Sequence, residues 1–444
     1  MALQGKHILV GISGGIAAYK IPELIRSLVK AGAEVRVATT RNAMQFVTEL
    51  TLQTVSGSRV YSDVFAAINE HSTEHISLPD WCDAMIVAPA TANVLGKMAA
   101  GIADDALTTT IASCVARKPI IVAPAMNDKM WESPATQAAM NTIRSWANVQ
   151  VIEPDEGLLA CGTTGKGRMP EIEELQEALE YALAPQTMTN QHVLITAGGT
   201  QEPIDPVRFI SNYSTGKMGL ALAHACARRG ADVTLVCASV TAPLYNPFGH
   251  IHRIDALSAQ QMYEACLQAW PQMDKAILCA AVSDYTPAST ATEKIKKEHL
   301  TSNPLTSNPL TSNPLISNPL TSNPLTSNPL TSNPLTSNPL TSNPLNLSLK
   351  ETNDIARALG ERKQAHQQLI GFALETQDEK KNALHKLERK HLDAIILNSL
   401  RDAGAGFGTD TNRVTILTAD GRSVELPLQS KAAISEEILR VLFS

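Results

Sequence analysis

The sequence has no C-x-x-C pair. Its seven cysteines, at positions 82, 114, 161, 226, 237, 266 and 279, are dispersed and odd in number. That pattern excludes a thiolate zinc cage and fits a reducing compartment in which any special cysteine acts alone. A long apolar run is also missing. Met1 to His7 lead into an apolar stretch broken at Ser13-Gly14-Gly15, so neither a signal peptide nor a membrane span is expected and the chain reads as soluble and cytoplasmic. Nor is there a basic excess: 37 Lys and Arg face 43 Asp and Glu, a formal charge of −6, which leaves no field to draw the chain onto nucleic acid. Finally, no G-x-G-x-x-G turn follows the first expected strand. The second ends Thr39-Thr40-Arg41, without the acid that would hold an adenine ribose, and both omissions argue against NAD.

At roughly 100–200 residues per domain, the 444 residues make two or three domains, each able to bury a core. Residues 301–345 stand apart as nine copies of a pentapeptide, TSNPL, with one ISNPL at Ile316. A period of five suits neither strand nor helix, and the proline in every copy removes a backbone donor, so turns or disorder are expected. The alternative is a short solenoid with stacked leucines.

The remainder alternates β-branched runs with helical patterns. Strands are expected at His7–Ile12, Glu34–Thr39, Ala84–Ala88, Pro119–Ala123 and Val149–Ile152. After a thin stretch around Ala184 to Asn190, others follow at His192–Ala197, Asp232–Ala238, Lys275–Ala281, Leu369–Leu374 and Asp393–Leu397. This predicts an α/β fold of two Rossmann-like parallel-sheet domains, 1–187 and 188–444, with the repeat inserted in the second. A hairpin, Arg413–Leu417 and Ser423–Leu428 around Asp420-Gly421, and a last helix close the chain.

In the first domain, the turn Gly11-Ile12-Ser13-Gly14-Gly15 opens a helix whose free N–H groups suit a phosphate, and a mononucleotide such as FMN fits better than a dinucleotide. Glycines that merely allow close helix packing are the alternative. Ala88-Pro89-Ala90-Thr91-Ala92-Asn93, Ala123-Pro124-Ala125-Met126-Asn127 and the segment of His75 supply polar groups at strand ends, where such sheets bind ligands. Taken alone, His75 also reads as an ordinary histidine and Asn127 as a turn residue. A Gly-rich stretch from Leu159 to Pro170, with Cys161 as its one thiol, reads as a lid presenting a proton donor.

In the second domain, the loop from Thr196 to Gly219 is crowded with anion-binding groups. Ser214-Thr215-Gly216-Lys217 lacks the order of a Walker motif, and a solvated loop remains the alternative. Lys386 and Lys390, four residues apart, share one helix face, which by itself also reads as a solvated stripe.

GISGGIAAYK, HISL, APATAN, PAMNDKMW and ACGTTGKGRM occur in this order. With them the first domain resembles the flavin-dependent cysteine decarboxylases. The second resembles phosphopantothenoylcysteine synthetase, so the chain outside the repeat is similar to the bacterial bifunctional coenzyme A biosynthesis flavoproteins. The resemblance implies ligation of cysteine to 4′-phosphopantothenate through an acyl-cytidylate made from CTP, with Mg²⁺ on the triphosphate. FMN-dependent loss of CO₂ from 4′-phosphopantothenoylcysteine follows, giving 4′-phosphopantetheine. It also implies a large homo-oligomer, built from trimers of the first domain and pairs of the second.

For the decarboxylase, the resemblance gives His75 the role of base or positioning residue, Asn127 that of holding the substrate carboxylate, and Cys161 that of protonating the ene-thiolate. Ser13, Gly14, Gly15, Thr40, Thr91 and Asn93 become flavin contacts. For the ligase it makes Asn212 and Lys294 catalytic, Asn212 in acyl transfer, and assigns CTP to Leu278, Cys279, Ala280, Asp284, Lys294, Asn353, Asp354, Ile355, Ala356, Phe372, Lys386 and Lys390. The family's Asn-Pro-Asp-Ile is here Thr352-Asn353-Asp354-Ile355, so a less preorganised loop is expected. Two other readings stand beside this one: a flavin decarboxylase for a different cysteine-bearing substrate, and a regulatory flavoprotein that has lost catalysis. Retention of His75, Asn127 and Cys161 speaks against the second.

Overall fold

The computed structural model describes residues 3–65, 73–160, 162–296, 345–375, 377–399, 404, 406 and 408–443. Two candidate features, Cys161 and repeat residues 301–344, lie outside that set.

The amino-terminal half is a six-stranded parallel sheet of β1 (His7–Ile12), β2 (Glu34–Thr39), β3 (Val60–Tyr61), β4 (Ala84–Ala90), β5 (Ile120–Pro124) and β6 (Val149–Val151), in the order β3-β2-β1-β4-β5-β6. The period-two alternation of β1 sends Ile8, Val10 and Ile12 into one core and Leu9 into another on the opposite face. A strand buried on both sides is apolar throughout for this reason. The stretch expected to be a lid supplies β8 (Thr164–Arg168), which pairs in an antiparallel hairpin with the preceding β7 (Asp155–Leu158).

The carboxy-terminal half repeats the plan. Its strands are β9 (His192–Ala197), β10 (Gln201–Pro203), β11 (Phe209–Ser211), β12 (Asp232–Cys237), β13 (Ile251–Asp255), β14 (Lys275–Leu278), β15 (Tyr285–Pro287), β16 (Leu349–Glu351), β17 (Gln368–Glu375), β18 (Ala394–Ser399), β19 (Thr411–Thr418) and β20 (Ser423–Ser430). The main sheet runs β13-β12-β9-β14-β17-β18-β19-β20. It is parallel up to β18 and closes with the antiparallel β19–β20 hairpin. In both sheets the strand order reverses beside the first strand of the half, between β1 and β4 and between β9 and β14, which opens a crevice at their carboxyl ends.

The strands flanking the repeat pair with each other, Tyr285 opposite Glu351 and Pro287 opposite Leu349. The Ala288 N–H donates to the Ser348 carbonyl at 2.8 Å. Chain departure and return are thus neighbours.

The two halves meet through buried charge. Arg228, on the helix Lys217–Arg228, lies 2.9 Å from Glu177 and 3.0 Å from Glu180 on the helix Ile172–Leu183, and 3.0 Å from Glu436 on the last helix. Beside it, Tyr181 Oη is 2.9 Å from His250 Nε2. Among the described residues no helix is long and apolar enough to cross a membrane.

Candidate active sites

At the first switch point the turn after β1 and the end of β4 are sewn together by Ser13. Its buried Oγ donates to the Pro89 carbonyl at 2.6 Å, accepts the Thr91 N–H at 3.0 Å, and lies 3.1 Å from Thr91 Oγ1. The Ser13 hydroxyl hydrogen is therefore committed to protein, and this side chain fixes the turn's shape. Gly14 packs where a side chain has no room: a Cβ would stand 2.4 Å from Asn42 Cβ and 2.9 Å from its carbonyl carbon. A Cβ on Gly15 would meet Thr91 Cγ2 at 3.1 Å. Thr40 is buried, and its Oγ1 accepts the Ala43 N–H. Asn93 is exposed at the second position of the helix that follows β4. Ser13, Gly14, Gly15, Thr40 and Thr91 thus gather at the carboxyl ends of β1, β2 and β4.

Asn127 follows β5, where its Oδ1 accepts the Lys129 N–H at 3.0 Å and caps a short helix. The β7–β8 hairpin lies across this segment. Gly167, with φ +154, has no room for a Cβ, which would fall 2.2 Å from the Met126 carbonyl oxygen, and the Met126 N–H donates to the Gly167 carbonyl at 2.9 Å. Gly167 is thus what allows the expected lid to dock beside Asn127. His75, half-buried, sits on the helix Glu74–Trp81.

Among the described residues, three buried polar atoms at the carboxyl ends of this sheet have no hydrogen-bond partner: Thr39 Oγ1 at the end of β2, Tyr61 Oη at the end of β3 and Asp128 Oδ1 after β5. Burial, with Glu74 and Asp63 nearby, raises the Tyr61 pKa, so the phenol stays a donor. A Gly-lined turn for a phosphate and unused donors and acceptors along the same edge fit a flavin mononucleotide.

The second switch point holds a cavity of about 620 Å³ at the carboxyl ends of β9, β14 and β17. Leu278, Cys279, Ala280, Asp284, Asn353, Asp354, Ile355, Ala356, Phe372, Lys386 and Lys390 all line it. Burial pushes the Cys279 thiol up to about 12, which makes it a wall residue rather than a nucleophile. Asp354 caps the helix Ile355–Glu361 by accepting the Arg357 N–H at 3.1 Å. Burial opposes its ionisation, but that hydrogen bond and Lys390 outweigh burial and hold its carboxyl below the ordinary range. Lys386 pairs with Glu375 at 2.7 Å.

Thr352-Asn353 stands where the family has Asn-Pro. Thr352 donates its N–H to the Asp284 carbonyl at 3.0 Å and its hydroxyl to the Ser283 carbonyl at 2.7 Å, and Asn353, at the proline's place, donates its Nδ2 to Gln260 Oε1 at 2.9 Å. These three hydrogen bonds hold a loop that lacks the ring's stiffness.

Asn212 is not part of the cavity lining, but its Nδ2 donates at 2.7 Å to the carbonyl of Ala281, which is. Lys294 is exposed and outside the lining. Its neighbour Ile295 is held by the buried Asp205, which accepts the Ile295 N–H at 3.1 Å, while Arg208 donates to the Ile295 carbonyl at 2.9 Å. Sequence reasoning missed Lys431 and Asn412, which also line the cavity. Both lie far along the chain from any phosphate-binding loop, and no local pattern marks them.

Two family models match. That described as Flavoprotein covers residues 1–183, and that described as DNA/pantothenate metabolism flavoprotein C-terminal domain covers residues 188–326 and 338–444. The coenzyme A biosynthesis bifunctional protein CoaBC of Bacillus subtilis (strain 168) is 42% identical over 441 residues, 99% of this chain and 97% of the relative. The chain belongs to the bifunctional coenzyme A biosynthesis family. The family's two parts correspond in order to the two sheets and their two switch points. A second relative, a protein from an unknown prokaryotic organism named cysteine/cysteine sulfinic acid decarboxylase, is 41% identical over 403 residues, 90% of this chain and 99% of the relative. A solved structure of the C-terminal domain of a CoaBC protein covers 58% of this chain and 96% of its own, at 32% identity and a TM-score of 0.41.

Proposed function

We propose that the chain, a bifunctional coenzyme A biosynthesis enzyme with a phosphopantothenate–cysteine ligase and a phosphopantothenoylcysteine decarboxylase activity, divides these between residues 188–444 and 1–187. The ligase uses CTP and Mg²⁺; the decarboxylase uses FMN; the active form is a homo-oligomer in the cytoplasm.

In the ligase, the carboxylate of 4′-phosphopantothenate attacks the α-phosphate of CTP and pyrophosphate leaves. The amine of cysteine then attacks the acyl-cytidylate, forming the amide and releasing CMP. Lys386 and Lys390 offset the triphosphate charge, the Asp354-capped helix orients the nucleotide, and Asn212 positions the acyl group beside Ala281. Among the described residues no cluster of three or more His, Cys, Asp or Glu side chains gathers into a metal cage, so Mg²⁺ is carried by the triphosphate itself. The observation that best supports this reading is that every nucleotide contact implied by the resemblance except Lys294 lines one cavity.

In the decarboxylase, the bound flavin supplies a two-electron acceptor that oxidises the substrate thiol and later returns the electrons, so that CO₂ leaves without net redox change. The turn at Ser13–Gly15 binds its phosphate, Thr40, Thr91 and Asn93 line its remaining length, and Asn127 binds the substrate carboxylate. His75 takes up or positions the thiol proton. Cys161 delivers a proton to the ene-thiolate carbon.

The test is to incubate the purified protein with 4′-phosphopantothenate, cysteine, CTP and Mg²⁺. CO₂, CMP and pyrophosphate should appear in equal amounts. The relative named for cysteine and cysteine sulfinic acid favours a second reading of the amino-terminal half. CO₂ released from free cysteine as fast as from 4′-phosphopantothenoylcysteine would establish that reading instead.

A further inference from the structure

Four lysines line the ligase cavity: Lys217, Lys386, Lys390 and Lys431. Three are neutralised. Lys217 pairs with Asp410 at 2.6 Å, Lys386 with Glu375 at 2.7 Å and Lys390 with Asp354 at 3.0 Å. Their side chains also keep between 20% and 40% of their surface in solvent.

Lys431 differs on both counts. The residue is 7% exposed, and among the described residues its ammonium forms no ion pair. Its partners are the carbonyl oxygens of Thr409, at 2.5 Å, and Gly406, at 3.4 Å. A buried cation held by carbonyls alone is costly unless something compensates its charge. Burial and the neighbouring Lys217 both act to lower its pKa, while Asp410 partly opposes them. The ammonium is at the first position of the helix Lys431–Phe443, on the same cavity wall as the Ser214–Gly219 turn and its helix N-terminus.

We propose that Lys431 is a substrate-binding residue of the ligase, whose ammonium completes its coordination with a phosphate oxygen of the ligand entering this end of the cavity. The inference rests on the ligase reading above. The phosphate is either the 4′-phosphate of the acyl substrate or part of the nucleotide triphosphate. Either supplies the negative charge that the protein side of the cavity withholds from Lys431 alone.

The experiment compares wild type, Lys431→Gln and Lys431→Met in the full chain by titration calorimetry with four probes: CTP, cytidine, 4′-phosphopantothenate and pantothenate. Gln can still donate to the Thr409 and Gly406 carbonyls but carries no charge; Met does neither. The expected result is that both variants raise Kd by about tenfold or more for one phosphorylated ligand, and change the affinity for its unphosphorylated counterpart less than twofold. Which ligand responds identifies the phosphate. Lys431→Arg, which keeps the charge, should restore most of the affinity, and it serves as the test if the uncharged variants fold poorly. The proposal is overturned if Gln binds every probe like wild type, if phosphorylated and unphosphorylated ligands weaken together, or if Arg binds phosphorylated ligands no better than Met. Wild-type protein that binds neither CTP nor 4′-phosphopantothenate would instead remove the ligase reading itself.

Discussion

Lys390 Nζ lies 3.0 Å from Asp354 Oδ2 and so joins the end of one helix to the N-cap of another at the cavity wall. The pair holds both the helix terminus and a cation in place before any nucleotide arrives. Lys390→Met should raise the KM for CTP by about tenfold, since a desolvated charge-assisted contact is lost, and leave the KM for cysteine within twofold. Steady-state kinetics with each substrate varied in turn provide the check.

Gly14 has Asn42 where a side chain would go. In Gly14→Ala, either the turn or the Asn42 segment must shift by several tenths of an ångström, which disturbs the flavin phosphate cradle. The purified variant should bind FMN at least about tenfold more weakly, at a cost of roughly 1–3 kcal/mol typical of overpacking. Its ligase activity should persist. Flavin absorbance after dialysis and CMP release measure the two halves separately.

Cys161→Ser should release CO₂ once and then stall with the oxidised aminoenethiol, because a hydroxyl is far less acidic than a thiol. His75→Asn should keep FMN but lose CO₂ release. Single-turnover CO₂ measurement with mass analysis of the bound product tests both, and full turnover by either variant rejects the assigned role.

His224 is a pH sensor of stability. Burial, and then Arg228, lower its pKa from 6.5 to about 4, against the pull of Glu180, and its Nδ1 faces Glu177 at 3.6 Å. The ring is neutral in the folded protein and protonates in the unfolded chain below pH 6.5. Its contribution is therefore complete above pH 6.5 and is lost as the pH falls toward 4, by roughly 3 kcal/mol at most. Glu177 and Glu180, raised by burial, act with the opposite sign, so the difference between wild type and His224→Leu isolates the histidine. Urea midpoints at pH 7.5 and pH 5 should converge for the variant relative to wild type.

Deleting residues 301–345 should leave ligase activity largely intact, because the flanking strands β15 and β16 pair with each other and loop closure entropy changes only logarithmically with length. A folded deletion without CMP release would make the repeat part of the catalytic machinery.

The inner strands were legible because burial on both faces forces unbroken β-branched runs: His7–Ile12, Glu34–Thr39 and His192–Ala197 stand as expected, and the others differ by a few residues at their ends. Strands that are very short or little buried left no such trace. Val60–Tyr61 is two residues long, Ile251–Asp255 is exposed after its first residue, and the β10–β11 and β15–β16 ribbons are three residues a side. The cavity wall contributed by contiguous motifs could be read from the sequence. The contribution of Lys431 could not: its setting is created when the last helix closes on Gly406 and Thr409, a tertiary event with no local signature. Thr352-Asn353 shows the converse, a departure from a motif that reads as a loss until the hydrogen bonds of both residues are seen.

The stitched base beneath the pentapeptide tract also has a genetic consequence. Gain or loss of whole units by slippage during replication preserves the reading frame, and with the chain pinned at Ala288 and Ser348 the catalytic walls should tolerate changes in the array's size. Lineages carrying this gene should therefore differ in copy number while remaining independent of added pantetheine.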